Sequence, residues 1–226
     1  MEVQLKSPVV DLIPRNLRMK LRRLRIHRPL ARERLIPKVP LAEEHMKCCE
    51  LLLNRAALLP RLPQNAIVAE LGVASGTFSE RILELAKPQR LHLIDAWGND
   101  RYHQGLFDLV SAKFRGRVED GSVVIHRELS TRAADLFEDD YFHWIYIDTD
   151  HSYATTREEL ARYAPKVKQN GVIAGHDYAM GDWARSFRYG VIEAVHEFCV
   201  NHHWEFVYLT LEPTEKQSFA IRRIPR

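Results

Sequence analysis

The stretch Val68–Phe78, VAELGVASGTF, constrains this chain more than any other. An apolar run ends in an acid, Glu70, and a turn carrying Gly72 and Gly76 leads into a helix-like segment. Nineteen residues past Gly76, a second apolar run, LHLI, ends in Asp95. Glycine lets the backbone turn sharply and approach a ligand closely. The first amides of a helix can hold a carboxylate or a phosphate. An acid at the tip of the next strand can accept hydrogen bonds from ribose hydroxyls. Together these features imply a nucleoside-containing cofactor in the crevice of an α/β sheet.

The rest of the chain alternates in the way such a sheet requires. Strand-like runs at 66–70, 90–95, 123–126, 143–148 and 171–174 are separated by helical patterns at 76–86, 104–117, 130–137 and 155–163, and another helical pattern follows at 191–201. This alternation predicts crossover units and a mostly parallel sheet with helices on both faces. Two further runs, 204–210 and 217–221, are joined by LEPTEK with no helix between them, which predicts an antiparallel pair closing the sheet. Residues 41–59 read as a helix covering the domain, ended by Pro60 and Pro63.

The charge is unevenly spread. The net charge is only +3, but residues 1–40 hold eleven Lys or Arg against three Asp or Glu. The organisation read from this is a basic N-terminal arm over 1–40 and a cofactor-binding domain over 41–226. Within the arm, Leu17, Leu21 and Leu24 recur at helical spacing over 16–27. Such a helix could lie on an acidic partner or an anionic lipid surface, or pack on its own domain or a second subunit. The body beyond residue 40 is slightly acidic, which argues against nucleic acid gripped across its whole face. Three cysteines without zinc-like or disulfide spacing, and no apolar run near the roughly 20 residues that span a bilayer, lead to the expectation of a cytoplasmic protein.

The order of elements and the acid–glycine turn resemble the class I S-adenosylmethionine-dependent methyltransferases over about 66–221. That resemblance implies a Rossmann-like, seven-stranded, mostly parallel sheet with a C-terminal antiparallel hairpin. It also implies that Gly72 lies against the methionine part of the cofactor, that Glu70 holds this region electrostatically, and that Ser75 or Gly76 donates a backbone amide. Asp95 would bind the ribose hydroxyls and Trp97 would stack near the adenine. Glu128 and Ser130, in the segment after the third strand, would belong to the adenine-contacting loop. A dinucleotide fingerprint would need Gly-x-Gly-x-x-Gly directly after the first strand, whereas Gly72-Val73-Ala74-Ser75-Gly76 carries two glycines.

The acceptor chemistry is expected from two other stretches, WIYIDTDHSY (144–153) and NGVIAGHDY (170–178). Both are apolar strands that run into ionisable residues, and in a parallel sheet their carboxyl ends open on the crevice beside the glycine turn. Two uses fit. In one, Asp148 and Asp177 hold a Mg²⁺-like cation that binds a substrate hydroxyl, and His151 takes the proton. In the other no metal takes part, and His151 or His176 acts as base with the aspartates orienting it. Asp150 reads as a cap of the helix that follows rather than as a ligand. This part of the chain also looks like the small-molecule O-methyltransferases, including divalent-cation-dependent catechol-type and macrolide-sugar enzymes. In the catechol type, metal aspartates correspond to Asp148 and Asp177 and a base corresponds to His151, but Tyr178 departs from the Asn of that pattern.

The function expected is therefore methyl transfer to a small hydroxylated molecule, a sugar or glycosylated metabolite being favoured. Gly181–Arg188, with Trp183, Arg185, Phe187 and Arg188, reads as a loop on the substrate side. The alternatives are a nucleic-acid methyltransferase using the basic arm and a non-catalytic cofactor-binding assembly protein. A homo-oligomer is compatible with either.

Overall fold

The computed structural model describes residues 36–182 and 187–225. In chain order the strands are β1 (Glu50–Leu52), β2 (Ile67–Leu71), β3 (Arg90–Asp95), β4 (Val123–Arg127), β5 (Phe142–Ile147), β6 (Val167–Gly175), β7 (Gly181–Asp182), β8 (Phe187–Arg188), β9 (Trp204–Thr210) and β10 (Phe219–Arg223). The α-helices are α1 (Arg55–Leu58), α2 (Thr77–Leu85), α3 (Gln104–Lys113), α4 (Arg115–Glu119), α5 (Ser130–Ala133), α6 (Tyr153–Tyr163) and α7 (Val191–His202). The postulated arm helix at 16–27 lies outside the described residues.

Eight strands form one sheet in the order β1-β9-β10-β6-β5-β2-β3-β4, and β7 and β8 form a separate small hairpin. The seven expected strands are all present, with β10 antiparallel to both β6 and β9. The eighth, β1, adds a parallel edge beside β9. The sheet is buried on both sides, so its strands are apolar at successive positions rather than at every second one. On β5, Trp144 and Tyr146 join the core beneath α2 and α3, while Phe142, Ile145 and Ile147 join the core beneath α6 and α7.

A single helix over 41–59 is not what forms. The segment is a 3₁₀ turn (Glu43–His45), then β1, α1 and a second 3₁₀ turn (Leu59–Arg61). Asn54 accounts for part of the break, because its side chain accepts the amide of Ala57 and starts α1 there. The run Leu51-Leu52-Leu53 alternates as a strand does, with Leu52 buried and Leu51 and Leu53 exposed. The pattern at 104–117 likewise resolves into α3 and α4, parted at Phe114. The ring of Phe114 is buried beside Gly76. The pattern at 130–137 ends as a 3₁₀ turn (Ala134–Leu136) after α5.

The register of the central strands positions everything that follows. Leu71 on β2 pairs with Ile147 on β5, which pairs with Gly175 on β6. The ladder runs one step past the strands: the amide of Asp148 donates to Leu71 and that of His176 donates to Ile147, at 2.8 and 2.9 Å. Gly72, Asp148 and His176 therefore emerge side by side. Gly72 has φ +88°, and a Cβ on it would lie 1.9 Å from the carbonyl oxygen of Asp148. Gly72→Ala meets both penalties, the left-handed backbone and a rigid backbone neighbour. It should lower stability by more than about 1 kcal/mol in urea or thermal unfolding. Unchanged stability would show that β2 and β5 do not need this close approach.

Candidate active site

The turn after β2 and the tip of β3 are tied together. One carboxylate oxygen of Asp95 accepts the amides of Val73 and Ala74, each at 2.9 Å, and the other accepts the amide of Trp97 at 2.9 Å. The indole of Trp97 is buried and donates to the carbonyl of Ala74 at 2.9 Å, bracing the same turn from behind. Gly76, at φ +72°, is the residue from which α2 starts, and the hydroxyls of Ser75 and Thr77 lie 3.0 Å apart. Glu70 is buried and accepts a hydrogen bond from the Ser79 hydroxyl. Burial pushes its carboxyl up to about 8, which that hydrogen bond only partly offsets.

Glu128 sits next to Asp95, its amide donating to the Asp95 carbonyl at 3.1 Å. Ser130 turns away from the turn. Its hydroxyl donates to the buried carboxylate of Glu159 at 2.5 Å, and Thr149 donates to the other oxygen at 3.1 Å. Glu159 on α6 thus ties the loop after β4 to the loop after β5, and burial pushes it up to about 7.

The second cluster lies where β5 and β6 end. Ligand atoms of Asp148, His151 and Asp177 all fall within 4.8 Å of one another. Nδ1 of His151 is 2.9 Å from Asp177, and Nδ1 of His176 is 3.5 Å from Asp177 and 3.7 Å from Asp148. Facing a carboxylate, Nδ1 of His151 is the donor, which leaves Nε2 of that ring as the basic nitrogen. Nε2 of His176 is buried without a hydrogen-bond partner. A small cavity beneath the two rings is lined by Ile147, Thr149, Thr156, Val191 and Phe219. His151 and Asp177 have φ values of +61° and +56°, in the left-handed region that non-glycine residues rarely adopt.

Burial raises the Asp148 carboxyl, with Asp177 adding to the rise and His176, His151 and Arg55 opposing it. Burial would raise Asp177 too, but hydrogen bonds from His151 and His176 hold it well below the usual carboxylate range. Burial would lower His151, and the hydrogen bond and charge of Asp177 overcome this and raise it.

Several neighbours have structural partners. The helix cap expected of Asp150 falls to Ser152, whose hydroxyl accepts the Thr155 amide, while Asp150 supports it by accepting the Ser152 amide and the Thr155 hydroxyl at 2.9 and 2.8 Å. Tyr178 packs against Phe206 and Phe219 and bonds His196 at 2.6 Å. Tyr153 donates to Glu197 on α7 at 2.5 Å. Trp183 and Arg185 lie outside the described residues. Arg188 is held by Glu193 and the Met180 carbonyl. Sequence reasoning missed Arg55, Glu159 and Glu215. Arg55 reaches Asp148 at 3.6 Å and Glu215 at 2.9 Å, from segments far apart in the chain.

Residues 69–178 match a protein-family profile described as "Methyltransferase domain". No curated protein matches the chain. Among similar solved structures, a putative rRNA-methylase from Clostridium thermocellum superposes with a TM-score of 0.57 at 14% identity, covering 77% of this chain and 98% of that one. A geranyl diphosphate methyltransferase in complex with SAM gives 0.57 at 7% identity, covering 75% and 84%. Aeropyrum pernix fibrillarin with natively bound S-adenosyl-L-methionine gives 0.54 at 12%, covering 74% and 73%. At these identities the likeness is one of fold. The fold is that of the class I S-adenosylmethionine-dependent methyltransferases, and fold and domain match together mark the chain as a methyltransferase.

The contact between His151 and Asp177 makes a direct prediction. In chelator-treated protein, the His151 ring should titrate above the ordinary histidine value of 6.5, and Asp177→Asn should bring its midpoint down. NMR of the ring C–H resonances reads both. A midpoint indifferent to Asp177→Asn would show that this carboxylate does not hold the proton.

Proposed function

We propose that this chain transfers a methyl group to an oxygen of a small hydroxylated acceptor, a sugar or glycosylated metabolite, with a divalent cation such as Mg²⁺ held by Asp148 and Asp177. The observation that carries this reading is the convergence of Asp148, His151 and Asp177 within 4.8 Å at the strand ends beside the glycine turn. Two carboxylates and an imidazole at such spacing suit a hard or borderline cation, and a buried, partnerless Nε2 on His176 marks the cluster as incomplete.

S-adenosylmethionine supplies the methyl group on a sulfonium, and a divalent cation lowers the pKa of a hydroxyl bound to it. The chain's own residues do the rest. Glu70, Gly72, Ser75 and Gly76 are assigned to the methionine end of the cofactor. Asp95, Trp97, Glu128 and Ser130 are assigned to its ribose and adenine end. Asp95 uses three lone-pair directions on backbone amides, so it orders the turn as well as facing a ribose. His151 takes the acceptor's proton at Nε2, with Asp177 fixing the ring through Nδ1 and stabilising its charged form. His176 braces both carboxylates and is the reserve base. Alignment and proton removal suffice, because the cofactor already carries a good leaving group.

A nucleic-acid acceptor is the second reading, and the concentration of eleven basic residues in 1–40 is what favours it. Among the described residues no helix is long and apolar enough to cross a membrane.

The test uses S-adenosylmethionine with a labelled methyl group against panels of sugars, glycosylated metabolites and RNA. Label in a hydroxylated small molecule is the expected result, and label confined to RNA would overturn the acceptor assignment. EDTA should abolish transfer and Mg²⁺ or Mn²⁺ restore it. Asp148→Asn should lose most of the rate while S-adenosylhomocysteine affinity stays within a few fold. Full activity in metal-stripped protein would remove the cation and leave His151 as a metal-free base. Full activity in His151→Ala would move the proton to His176 or to solvent.

A further inference from the structure

Arg55 stands on the first turn of α1, and three acidic residues surround it. Its Nε lies 2.9 Å from Glu215 and its Nη1 lies 3.6 Å from Asp148. Its own backbone amide donates to the carboxylate of Glu212. The guanidinium carbon rests 4.5 Å above the ring of Phe78, which packs in turn on Tyr146 at 4.4 Å between ring centres. Glu212 and Glu215 both belong to the connection between β9 and β10. The clasp therefore joins the start of the domain to its end across the mouth of the crevice. Neither part falls within residues 69–178, which match the family profile.

A guanidinium is charged at every accessible pH, and its planar fork lets it serve two carboxylates at once. Placed 3.6 Å from Asp148, it supplies part of the positive charge that the cluster of acids requires. A divalent cation on the same carboxylate would be repelled by it, and at this range in a partly dry site the repulsion is large. Glu215 keeps the guanidinium partnered if it is pushed off Asp148, and Glu212 anchors the backbone beneath it. Glu215 also faces the orphaned Nε2 of His176 across 4.0 Å, so one carboxylate stands between the arginine and the histidine.

We propose that Arg55 is a positioning residue that acts as a built-in counter-ion to Asp148 and sets how tightly the Asp148–Asp177 cluster holds a divalent cation, with Glu215 drawing it aside. The inference rests on the cation reading given under Proposed function. In the resting site, Arg55 carries the charge. A bound ion would displace only the longer 3.6 Å contact of Arg55 with Asp148, while the 2.9 Å contact with Glu215 would hold the guanidinium. Cation binding thereby becomes linked to the clasp that joins α1 to the β9–β10 connection, and so to the opening through which an acceptor enters.

The experiment is a Mn²⁺ titration of the full chain, by electron paramagnetic resonance of free Mn²⁺ and by calorimetry. It needs no acceptor. Circular dichroism and S-adenosylhomocysteine affinity serve as controls for folding. Arg55→Ala should bind Mn²⁺ at least about tenfold more tightly than the natural chain, since a repelling charge has gone. Arg55→Lys keeps the charge and should stay within about threefold. Glu215→Gln leaves Arg55 to Asp148 alone and should weaken Mn²⁺ binding by a few fold. Arg55→Gln gives the same reading as Arg55→Ala if the smaller side chain unfolds the mouth. Mn²⁺ binding by the natural chain that is unchanged or weaker in Arg55→Ala and Arg55→Gln would overturn the counter-ion role and leave the cation reading standing. Equal tightening by Lys and Ala would overturn it too, by showing that bulk rather than charge is what matters. Absence of Mn²⁺ binding in every protein, with Asp148→Asn no different, would overturn the cation reading and this inference with it.

Discussion

Everything in the candidate site depends on the ladder between β2, β5 and β6 continuing for one residue past the strands. Leu71, Ile147 and Gly175 are in register, and the amides of Asp148 and His176 each bond back to the neighbouring strand's last carbonyl. This fixes the backbone of Asp148 and His176 to within a hydrogen bond's tolerance before any side chain chooses a rotamer. The chain then turns sharply at both strand ends, and His151 and Asp177 take left-handed angles to aim back at one another. Residues in that region cost of order 1–3 kcal/mol each and persist only where their surroundings over-determine them. The 2.9 Å contact between them, the register beneath and Gly72 pressed on the Asp148 carbonyl are those surroundings.

Burying this many acids has a consequence for stability as well as for chemistry. Glu70 and Glu159, raised to about 8 and about 7, hold their protons in the folded chain where the unfolded chain has lost them. Each therefore costs stability as pH climbs from the ordinary glutamate range through its folded value. Asp177 acts in the other direction. Its depressed carboxyl adds stability that is present above the ordinary aspartate range and is lost as pH falls through the folded value. His151, raised, adds stability that is complete below 6.5 and fades as pH rises through its folded value. Three of these four terms favour mildly acidic conditions. A base at His151 wants the opposite, since it must be neutral to take a proton. Under the proposed role of His151, folding and catalysis are pulled to different ends of the neutral range, and a cation at the cluster would ease the conflict by displacing the histidine's proton.

How much of this was legible in the sequence follows from how local each feature is. The glycine turn, the acids at strand ends and the alternation of strands and helices are encoded within a few residues of one another, and the predicted strands fall within a residue or two of the observed ones except at β6. Asp148, His151, His176 and Asp177 could be read as one site because parallel strands deliver their carboxyl ends to one place. Residues 41–59 misled because Leu51, Leu52 and Leu53 satisfy a helical and a strand pattern equally, and the pairing with β9 that decides between them is more than 150 residues away. The partners of Trp97 and Ser130 depended on packing: the indole donates to the Ala74 carbonyl and the Ser130 hydroxyl to Glu159, contacts that no local pattern announces. His92 carries no motif in the sequence, yet it pairs with His126 at 2.9 Å and Tyr141 at 3.1 Å, contacts that only the sheet's lateral order creates.

The same distinction separates the two halves of the crevice. The cofactor half is built from consecutive β-turn-α and β-turn segments, so its residues sit where a pattern can find them. The acceptor half is assembled across the chain. Arg55 comes from ahead of the first core strand, Glu212 and Glu215 from between the last two, and the β7–β8 hairpin from the connection after β6. None of these carries a motif, because nothing about an arginine at the start of a short helix or a glutamate in a loop distinguishes a solvated charge from one held 3.6 Å from a half-buried aspartate. A fold that reads its cofactor through local turns and its acceptor through distant segments can keep the first fixed while the second varies. If the Asp148–Asp177 cluster holds the proposed cation, the chemistry of the acceptor is decided at the mouth, in the contest of Arg55 and Glu215 with that cation, rather than at the glycine turn.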